Sequence, residues 1–343
     1  MEQGLRIFEL PLRVLASGVL WVSRPFVIMR PHFNLMKIVF MGTPQAAVPS
    51  LERLVADGHE IVAVYTQPDR PSGRGHTLAA SPVKEAALQF GLQVVQPSKL
   101  RTDEALVEFE NFGADLSVLV AYGRILPDAF LAAYPKGCVN VHFSLLPRFR
   151  GAAPVNWAIV NGESVTGVTT MQMDSGLDTG DILLQAETGI GSEENSIDLM
   201  GRLSVLGAEL LSMTLDDLDG IVPREQDDTM ATFAPILKKE DGRFDWNLPA
   251  ASIERRIRGF QPFPTTYTTF RGKRLTLWRA NVIWDHAGAA SPGTVLEAKG
   301  DTLIVACGEG LLRISELQIE GRKRVGVRDF LNGVNLQTGD QCV

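Results

Sequence analysis

The first half of the chain alternates short, wholly apolar runs with longer amphipathic segments. Apolar runs of this length predict buried strands of a parallel sheet, because helices cover such strands on both faces. The predicted strands are residues 38–41, 61–65, 93–95, 116–120 and 138–141. The segments between them predict helices. This order predicts an α/β fold, in the form of a Rossmann-like domain with a mostly parallel sheet.

The pattern changes after residue 160. Residues 167–173 and 182–188 predict two more strands, and residues 195–218 predict a long amphipathic helix that Gly220 ends. The apolar stripe of this helix is expected to pack in the core; it consists of Leu199, Leu203, Leu206, Leu210 and Met213. Earlier in the chain, residues 66–76 hold too much proline and glycine for regular structure, so we expect a long mobile loop there.

Residues 238–335 have a different sequence pattern. Short β-rich runs recur between glycine-containing turns, which predicts a small, OB-like β-barrel. We therefore expect an α/β domain over residues 36–222, a linker over 223–240 and the barrel over 241–335. Residues 1–35 fit neither pattern, and we expect them to be a poorly ordered N-terminal extension.

The formal net charge of −7 is unevenly distributed along the chain. Residues 1–237 hold 17 Lys and Arg against 28 Asp and Glu, whereas residues 238–343 hold 16 against 12. A small basic module joined to an acidic one is typical of polyanion binding, although a solvated surface alone produces the same imbalance. The basic residues cluster at 255–258, 271–274 and 322–324, which predicts contacts to a nucleic-acid backbone.

The polar end of the strand at 138–141 is the first candidate site. Asn140 and His142 are two residues apart, so their side chains are expected on the same face of the strand. Ligands of α/β sheets collect at the carboxyl ends of the strands. There an amide can donate to an oxygen while an imidazole exchanges a proton. A histidine in this position is more often a structural hydrogen-bonding residue, so the residues that meet it decide its role.

A later loop, residues 174–181, offers a partner for the imidazole. It carries two glycines and three aspartates directly after an apolar strand. A carboxylate on this loop would orient an imidazole and share its proton. Aspartate beside glycine usually caps a turn, and we interpret Asp174 and Asp181 in that way. Spacing alone leaves the role of Asp178 open.

Composition excludes several classes of protein. The 343 residues, 45% of them hydrophobic, suffice for the cores of two domains, and no stretch predicts a membrane span. Cys138, Cys307 and Cys342 are too widely spaced for a disulfide framework or a cysteine metal site, so a reducing compartment is expected. The histidines show no metal-binding spacing. A lone Gly42 after the first strand lacks the dinucleotide fingerprint, which disfavours a nicotinamide enzyme.

Several longer motifs, taken together, carry a family resemblance. They are KIVFMGTP at 37–44, TQPDRPSGRG at 66–75, SPVK at 81–84, AYGRILP at 121–127, NVHFSLLPRFRGAAP at 140–154 and TGVTTMQMDSGLDTGD at 166–181. With these motifs and the barrel-like tail, the chain from Met36 onward resembles the methionyl-tRNA formyltransferases, a branch of the formyltetrahydrofolate-dependent formyltransferase family. The resemblance implies transfer of a formyl group from 10-formyltetrahydrofolate to the α-amino group of methionine on initiator tRNA, for translation initiation.

The roles of individual residues follow from this resemblance. It implies a catalytic trio of Asn140, His142 and Asp178, and a folate-contacting segment of Ser144, Leu145, Leu146 and Pro147. It implies tRNA contacts by Arg70, Arg74, Lys273, Arg274, Arg322, Lys323 and Arg324. The co-substrate would be 10-formyltetrahydrofolate, with no metal. Whether His142 or Asp178 is the proximal base stays open.

The chain departs from the family pattern at two places. Phe143 stands where the family usually has glycine, and its ring either narrows the pocket or points away from it. His76 and Thr77 stand where the family's loop often carries lysines. This second departure weakens the electrostatic case for contact between the loop and tRNA, leaving Arg70 and Arg74 as its basic residues.

Two other interpretations compete with the transferase. A formyltransferase acting on a sugar or ribonucleotide amine would share the trio, but the basic barrel counts against it. An RNA-binding protein with a decayed catalytic half is disfavoured by the presence of Asn140, His142 and Asp178. The expected partners are methionyl initiator tRNA and the folate, without a membrane, and the expected state is a monomer. A bacterial source implies the cytoplasm, and an organellar gene implies a mitochondrion or plastid.

Overall fold

The computed structural model describes residues 34–72, 77–285, 288 and 290–343. The expected extension lies outside these residues, apart from residues 34 and 35. In chain order, the elements before residue 220 are β1 (Lys37–Gly42), α1 (Val48–Ala56), β2 (Glu60–Tyr65), β3 (Arg70–Ser72), β4 (Thr77–Ala79), α2 (Pro82–Gln89), β5 (Val94–Val95), α3 (Asp103–Glu110), β6 (Leu116–Val120), α4 (Asp128–Leu131), β7 (Cys138–His142), α5 (Pro154–Asn161), β8 (Val165–Gln172), β9 (Ile182–Gly189) and α6 (Ser196–Asp216). The later elements are α7 (Ala250–Gly259), β10 (Thr266–Phe270), β11 (Lys273–Ile283), β12 (Val295–Lys299), β13 (Thr302–Ala306), β14 (Leu311–Ile319), β15 (Val325–Gly326) and α8 (Val327–Gly333).

The first half is built on a seven-stranded sheet in the order β5-β2-β1-β6-β7-β8-β9. The strands from β5 to β7 are parallel, and β8 and β9 add an antiparallel edge. The predicted α/β class with a mostly parallel sheet is confirmed. Since parallel strands share a direction, the carboxyl ends of β1, β6 and β7 lie side by side along one edge.

Helices cover both faces of this sheet. On one face, α1, α2, α5 and α6 bury apolar side chains such as Leu51, Val83, Ile159 and Leu203. On the other face, Phe109 of α3 and Phe130 of α4 pack in a separate core. Coverage on both sides explains why the parallel strands read as unbroken apolar runs instead of alternating ones.

The expected mobile loop at 66–76 is wrong for the part that the structure describes. β3 and β4 pair antiparallel, with Arg70 opposite Ala79, while residues 73–76 between them lie outside the described residues. At the base of this hairpin, the Asp69 carboxylate accepts from Lys84 Nζ at 2.6 Å and from Gln96 Nε2 at 2.8 Å. The hydrogen bond from Lys84, with that from Gln96, lowers the pKa of Asp69. Hydrogen bonds from Lys84 and Gln96, which are distant from Asp69 in sequence, hold the base of the hairpin. Local composition does not reveal such contacts.

The long helix α6 is confirmed, with one error in its predicted core stripe. The Asn195 side chain caps it by accepting from the backbone N–H groups of Ile197 and Asp198. Leu199, Leu203 and Leu210 are buried and Leu206 is partly so, but Met213 is 53% exposed. The buried face is centred on residues that include Ser204, Gly207 and Leu211, so a search for large apolar residues alone misplaces its axis.

The C-terminal part is an antiparallel sheet in the order β10-β11-β14-β13-β12, with β15 paired to β14. Residues after α8 join its two edges. Val343 exchanges backbone hydrogen bonds with Thr269 of β10, while the Asp340 carbonyl accepts from the N–H of Val295 in β12. The tail therefore closes the sheet into a barrel, as predicted. Its core extends from Phe244 to Cys342.

The cysteines, the helix lengths and the potential metal ligands can be compared with the sequence predictions. Cys138, Cys307 and Cys342 are free and buried. Across the part of the chain that the structure describes, no helix is long and apolar enough to cross a membrane. The same residues contain no group of three or more His, Cys, Asp or Glu side chains placed to hold a metal ion.

Candidate active site

Asn140 and His142 lie on β7 and project to the same face, as their spacing predicts. β7 runs parallel to β6 and antiparallel to β8, with Asn140 opposite Leu119 on one side and Met171 on the other. Both side chains are buried, with 4% and 6% of the residue surface exposed. The Asn140 amide makes no hydrogen bond to any other described residue, so its donor is free for a ligand.

The structure brings Asp178 to His142. The distance from the Asp178 Oδ2 atom to His142 Nδ1 is 3.7 Å, which is too long for a hydrogen bond and makes an ion pair only when the imidazole is protonated. The same oxygen accepts from the backbone N–H of Gly151 at 2.7 Å, which orients the carboxylate. Asp174 behaves differently: it accepts from the N–H of Gly176 and the hydroxyl of Thr179 inside its own turn, as predicted.

The other imidazole nitrogen has a fixed partner. His142 Nε2 lies 3.0 Å from the carbonyl oxygen of Phe149. A carbonyl oxygen can only accept, so Nε2 carries a hydrogen in this arrangement. In the neutral ring, Nδ1 then holds the lone pair and faces Asp178. The protein thus sets the tautomer of His142 from one side and places a carboxylate on the other.

The segment from Ser144 to Pro147 is held rigidly beside the trio. The Ser144 hydroxyl donates to the Arg148 carbonyl at 2.6 Å, and the Leu146 N–H donates to Thr169 Oγ1 at 3.1 Å. The carbonyl of Leu146 accepts from Gln185 Nε2 at 2.9 Å. These bonds tie the turn after β7 to β8 and β9, so its backbone has a defined shape next to Asn140 and His142.

Phe143 points away from the site. It is the next residue along the strand after His142, so its ring lies on the opposite face of the sheet, in the core with Val141 and Val155. A Cβ atom added to Gly207 of α6 would come within 3.4 Å of Phe143 Cε1. Phe143 stands where the family usually has glycine, and its ring was expected either to narrow the pocket or to point away from it. It points away and packs in the core.

A cavity of about 380 Å³ opens at the carboxyl ends of β1, β2 and β6, and Asn140, His142 and Asp178 are not among its lining residues. Thr43, Gln67, Arg70 and Tyr122 are among its lining residues. The Tyr122 carbonyl accepts from the Thr43 hydroxyl at 3.0 Å and from Gln67 Nε2 at 3.2 Å. The carboxyl edge of the sheet therefore has room for a small ligand two strands along from β7, with polar groups in fixed positions.

The predicted tRNA-contacting residues fall into three groups. Arg70 is exposed on β3, and Arg74 lies outside the described residues. Lys273 and Arg322 line one small cavity at the end of the barrel, and Lys323 is exposed on the same turn as Arg322. The remaining two are bound within the protein: Arg274 stacks 3.7 Å above the ring of Tyr267, and Arg324 pairs with Glu316.

The basic cluster at 255–258 serves packing. Arg258 donates to the carbonyl of Glu194 and pairs with Glu254, and its side chain is only 15% exposed. Arg256 lies over the ring of Phe260. Arg258 thus joins α7 to the segment before α6 and Arg256 packs on Phe260, so the structure does not present these two as a free basic surface.

Sequence reasoning missed two residues of the site, Gln226 and Thr232. Gln226 is 7% exposed and bonds to both Arg150 and the Asp178 loop. Thr232 accepts from the backbone N–H of Phe149. Both lie in a polar stretch without periodicity that we predicted to be a linker, and only the RGAAP motif that contains Arg150 hinted at their partner. The predicted domain boundaries themselves stay a prediction.

Comparison with known proteins finds two family models on this chain. A model described as "Formyl transferase" matches residues 36–215. A second, "Formyl transferase, C-terminal domain", matches residues 236–335. The trio and the folate segment lie within the first match, and the barrel lies within the second.

Named relatives match almost end to end. A protein named methionyl-tRNA formyltransferase from Solibacter usitatus is 53% identical over 308 residues, covering 89% of this chain and 98% of the relative. One of the same name from Geobacter metallireducens is 49% identical and covers 89% and 97%.

Solved structures share the fold at lower identity. WlaRD, titled a sugar 3N-formyl transferase, is 16% identical with a TM-score of 0.62, covering 84% of this chain and all of that one. HypX from Aquifex aeolicus, solved with tetrahydrofolic acid, is 16% identical with a TM-score of 0.59 and covers 87% of this chain and 47% of that one. At this identity the likeness concerns the fold.

Proposed function

The chain belongs to the formyl transferase family, and we propose that it transfers the formyl group of 10-formyltetrahydrofolate to the α-amino group of methionyl initiator tRNA. One observation carries this proposal. A chain 53% identical to a named methionyl-tRNA formyltransferase holds an amide, an imidazole and a carboxylate together at the carboxyl end of one strand. The relatives named above are bacterial, and we place the reaction in the cytoplasm, where translation begins.

Asn140 stabilises the oxyanion. Attack of an uncharged amine on the formyl carbon gives a tetrahedral intermediate with negative charge on the former carbonyl oxygen. The Asn140 amide, which has no hydrogen-bonding partner among the described residues, donates to that oxygen. Its burial strengthens the interaction, because little water competes there.

Asp178 is the proximal base. The attacking nitrogen must lose one proton, and the leaving folate nitrogen must gain one. Both imidazole nitrogens already face protein groups, whereas Asp178 Oδ1 makes no hydrogen bond to another described residue. The carboxylate therefore takes the amine proton at Oδ1 and returns it to the leaving folate nitrogen, while His142, held by Phe149, supports the carboxylate through Nδ1.

The remaining residues fit the two substrates. The internally hydrogen-bonded backbone of residues 144–147 gives the folate a surface of defined shape beside the trio. Exposed Lys273, Arg322 and Lys323 gather at one end of the barrel, where they would bind phosphates of the tRNA. Arg70 would extend this contact near the cavity.

The test is a transfer assay with the purified chain. Incubation with 10-formyltetrahydrofolate and methionyl initiator tRNA should give N-formylmethionyl-tRNA, while free amino sugars and a ribonucleotide amine give no formylated product. Formylation of an amino sugar at a higher kcat/KM than methionyl-tRNA would refute the proposed acceptor. Absence of transfer to every acceptor, with tRNA binding retained, would favour a decayed enzyme.

A further inference from the structure

The two groups that touch the His142 ring both come from residues with unusual backbone. Phe149, whose carbonyl meets Nε2, has a φ of +61°, and Asp178, whose carboxylate meets Nδ1, has a φ of +53°. Residues with a Cβ atom disfavour this left-handed region, and they remain in it only where their surroundings hold them. The geometry around the imidazole therefore depends on whatever holds these two residues.

One segment reaches both of them. We call residues 224–234 the strap. At its start, Arg224 exchanges backbone hydrogen bonds with Ile182 of β9, at 2.8 and 2.9 Å. At its end, the Arg150 N–H donates to the Thr232 carbonyl at 2.8 Å, and the Ala234 N–H donates to the Arg150 carbonyl at 2.7 Å. A Cβ at Gly151 would lie 2.6 Å from the Ala234 carbonyl, so the strap runs in close contact with the turn that carries Phe149.

Thr232 holds Phe149. Its Oγ1 atom accepts from the Phe149 N–H at 2.8 Å, directly before the carbonyl that meets His142. The side chain is at the surface, so removing its hydroxyl leaves no cavity in a packed core. The effect of such a change would pass through the hydrogen bond to Phe149.

Gln226 holds Asp178. Its Nε2 atom donates to the carbonyls of Asp178 at 2.9 Å and Gly180 at 2.7 Å. Its Oε1 atom accepts from Arg150 Nε at 3.0 Å and Nη2 at 2.8 Å. Only a side-chain amide combines two donor hydrogens with an acceptor in this way. A glutamate would keep the bonds to Arg150 but would face two carbonyls without a hydrogen to share.

We infer that Gln226 and Thr232 are positioning residues for formyl transfer, each fixing one of the two groups that orient the His142 ring. This inference rests on the proposed function. Neither side chain touches a substrate in the proposed reaction, so their loss acts on the chemical step. A misplacement of reacting groups by about 1 Å lowers rates by up to about 100-fold.

The experiment compares four variants of the full chain in the transfer assay. Thr232→Val and Gln226→Glu keep size and shape but remove the hydrogen bonds to Phe149 and to Asp178. Thr232→Ser keeps the hydroxyl. Thr229→Val is the matched control, because Thr229 is an exposed strap residue whose two hydrogen bonds both go to Asp227. Thermal unfolding establishes that each variant is folded at the assay temperature.

We expect Thr232→Val and Gln226→Glu to lower kcat by about 10- to 100-fold with KM for both substrates within about threefold of wild type. Thr232→Ser and Thr229→Val should stay near wild type. Folded Thr232→Val and Gln226→Glu enzymes with wild-type kcat would overturn the inference, as would a loss that appears only in KM or equally in Thr229→Val. If Gln226→Glu does not fold, the Val and Ser pair at position 232 decides. Absence of transfer by the wild type would count against the proposed function instead, since the inference concerns only differences from an active enzyme.

Discussion

The ring of Phe143 packs against Gly207 of α6, on the face of the sheet opposite His142. A Cβ at Gly207 would lie 2.9 Å from Val141 Cγ1 and 3.4 Å from Phe143 Cε1. Glycine at this position lets the helix approach the strand closely enough for a phenylalanine to fit between them. The strand that carries Asn140 and His142 is thereby packed against α6 on its other face.

This contact predicts opposite effects for two substitutions in one helix. Gly207→Ala should lower the free energy of unfolding by about 1–3 kcal/mol, because the added methyl group overpacks the core. Gly201→Ala should raise it by about 0.5–1 kcal/mol, because glycine disfavours a helix and an added Cβ would meet no described atom within 4 Å. Urea unfolding measures both values. Equal effects at the two positions would show that helix propensity, and not the close approach of Gly207 to Val141 beside Phe143, governs them.

Asn140→Ala should lower kcat by about 100- to 1,000-fold, because the oxyanion loses its donor. KM for the folate and the thermal unfolding temperature should change little, since the amide bonds to no other described residue. Steady-state kinetics with the folded variant check this expectation. A variant that keeps more than a tenth of wild-type kcat would remove Asn140 from the proposed mechanism.

The exposed lysines at the end of the barrel predict a change in salt dependence. The double variant Lys273→Ala, Lys323→Ala should bind tRNA more weakly, and its plot of log Kd against log salt should flatten by about 0.7–0.9 for each phosphate that is no longer neutralised. Lys299→Ala, an exposed lysine at the end of β12, serves as the control. Binding titrations at several salt concentrations give the slopes. Identical slopes for the double variant and the control would exclude this surface.

His59 predicts a loss of stability in mild acid. It is buried and its Nδ1 atom accepts from the Met36 N–H at 3.3 Å. Burial lowers the pKa of His59 below 6.5, although Asp57 and Asp216 oppose the shift. As the pH falls, His59 is therefore protonated in the unfolded chain before it is protonated in the folded protein. The contribution of neutral His59 to the free energy of unfolding is complete above pH 6.5 and is lost as the pH drops toward the folded-state pKa.

The measurement is urea unfolding of wild type and His59→Asn at pH 7.5 and 5.5. The wild type should lose more stability between the two pH values than the variant, because the variant lacks the titrating group. Carboxylates other than Asp57 and Asp216, which act on His59, contribute equally to both proteins and cancel in the comparison. An identical loss in the two proteins would contradict the assignment.

The three thiols should be inert in the folded protein. Burial raises the pKa of Cys138, Cys307 and Cys342 to about 12 in each case, so almost no thiolate forms near neutral pH. A thiol-reactive chromogenic disulfide at pH 8 should therefore detect no fast-reacting thiol in the native state and three in denaturant. Fast reaction of any one of them would mean that its part of the core opens readily.

Alternation along β7 was sufficient to predict that Asn140 and His142 share a face, because a strand has a period of two. No such rule connects them to Asp178. Its position beside His142 depends on its own left-handed backbone conformation and on hydrogen bonds from Gly151 and Gln226. Family resemblance supplied that residue, and periodicity could not.

Sequence reasoning missed the contacts of two segments for one physical reason. The hairpin of β3 and β4 and the strap are both short segments without apolar periodicity, held by polar side chains distant in sequence. Lys84 holds one through Asp69, and Arg150 holds the other through Gln226. Single-sequence patterns report burial of apolar faces well, but they contain no signal for which distant polar groups will meet.

The strap lies beyond the last strand of the mostly parallel sheet. A piece of chain that contains the whole sheet therefore differs from a piece that contains every residue packed around His142. The parallel sheet and its antiparallel edge are complete at Gly189, and the catalytic family match stops at residue 215. A polypeptide divided there would retain Asn140, His142, Asp178 and the hydrogen bond from Gly151 to Asp178, but it would lose the hydrogen bonds that Gln226 and Thr232 make to Asp178 and Phe149. If Gln226 and Thr232 position the His142 ring as inferred, the shortest piece that contains every strand of the sheet is shorter than the shortest piece with full activity, which must include Thr232.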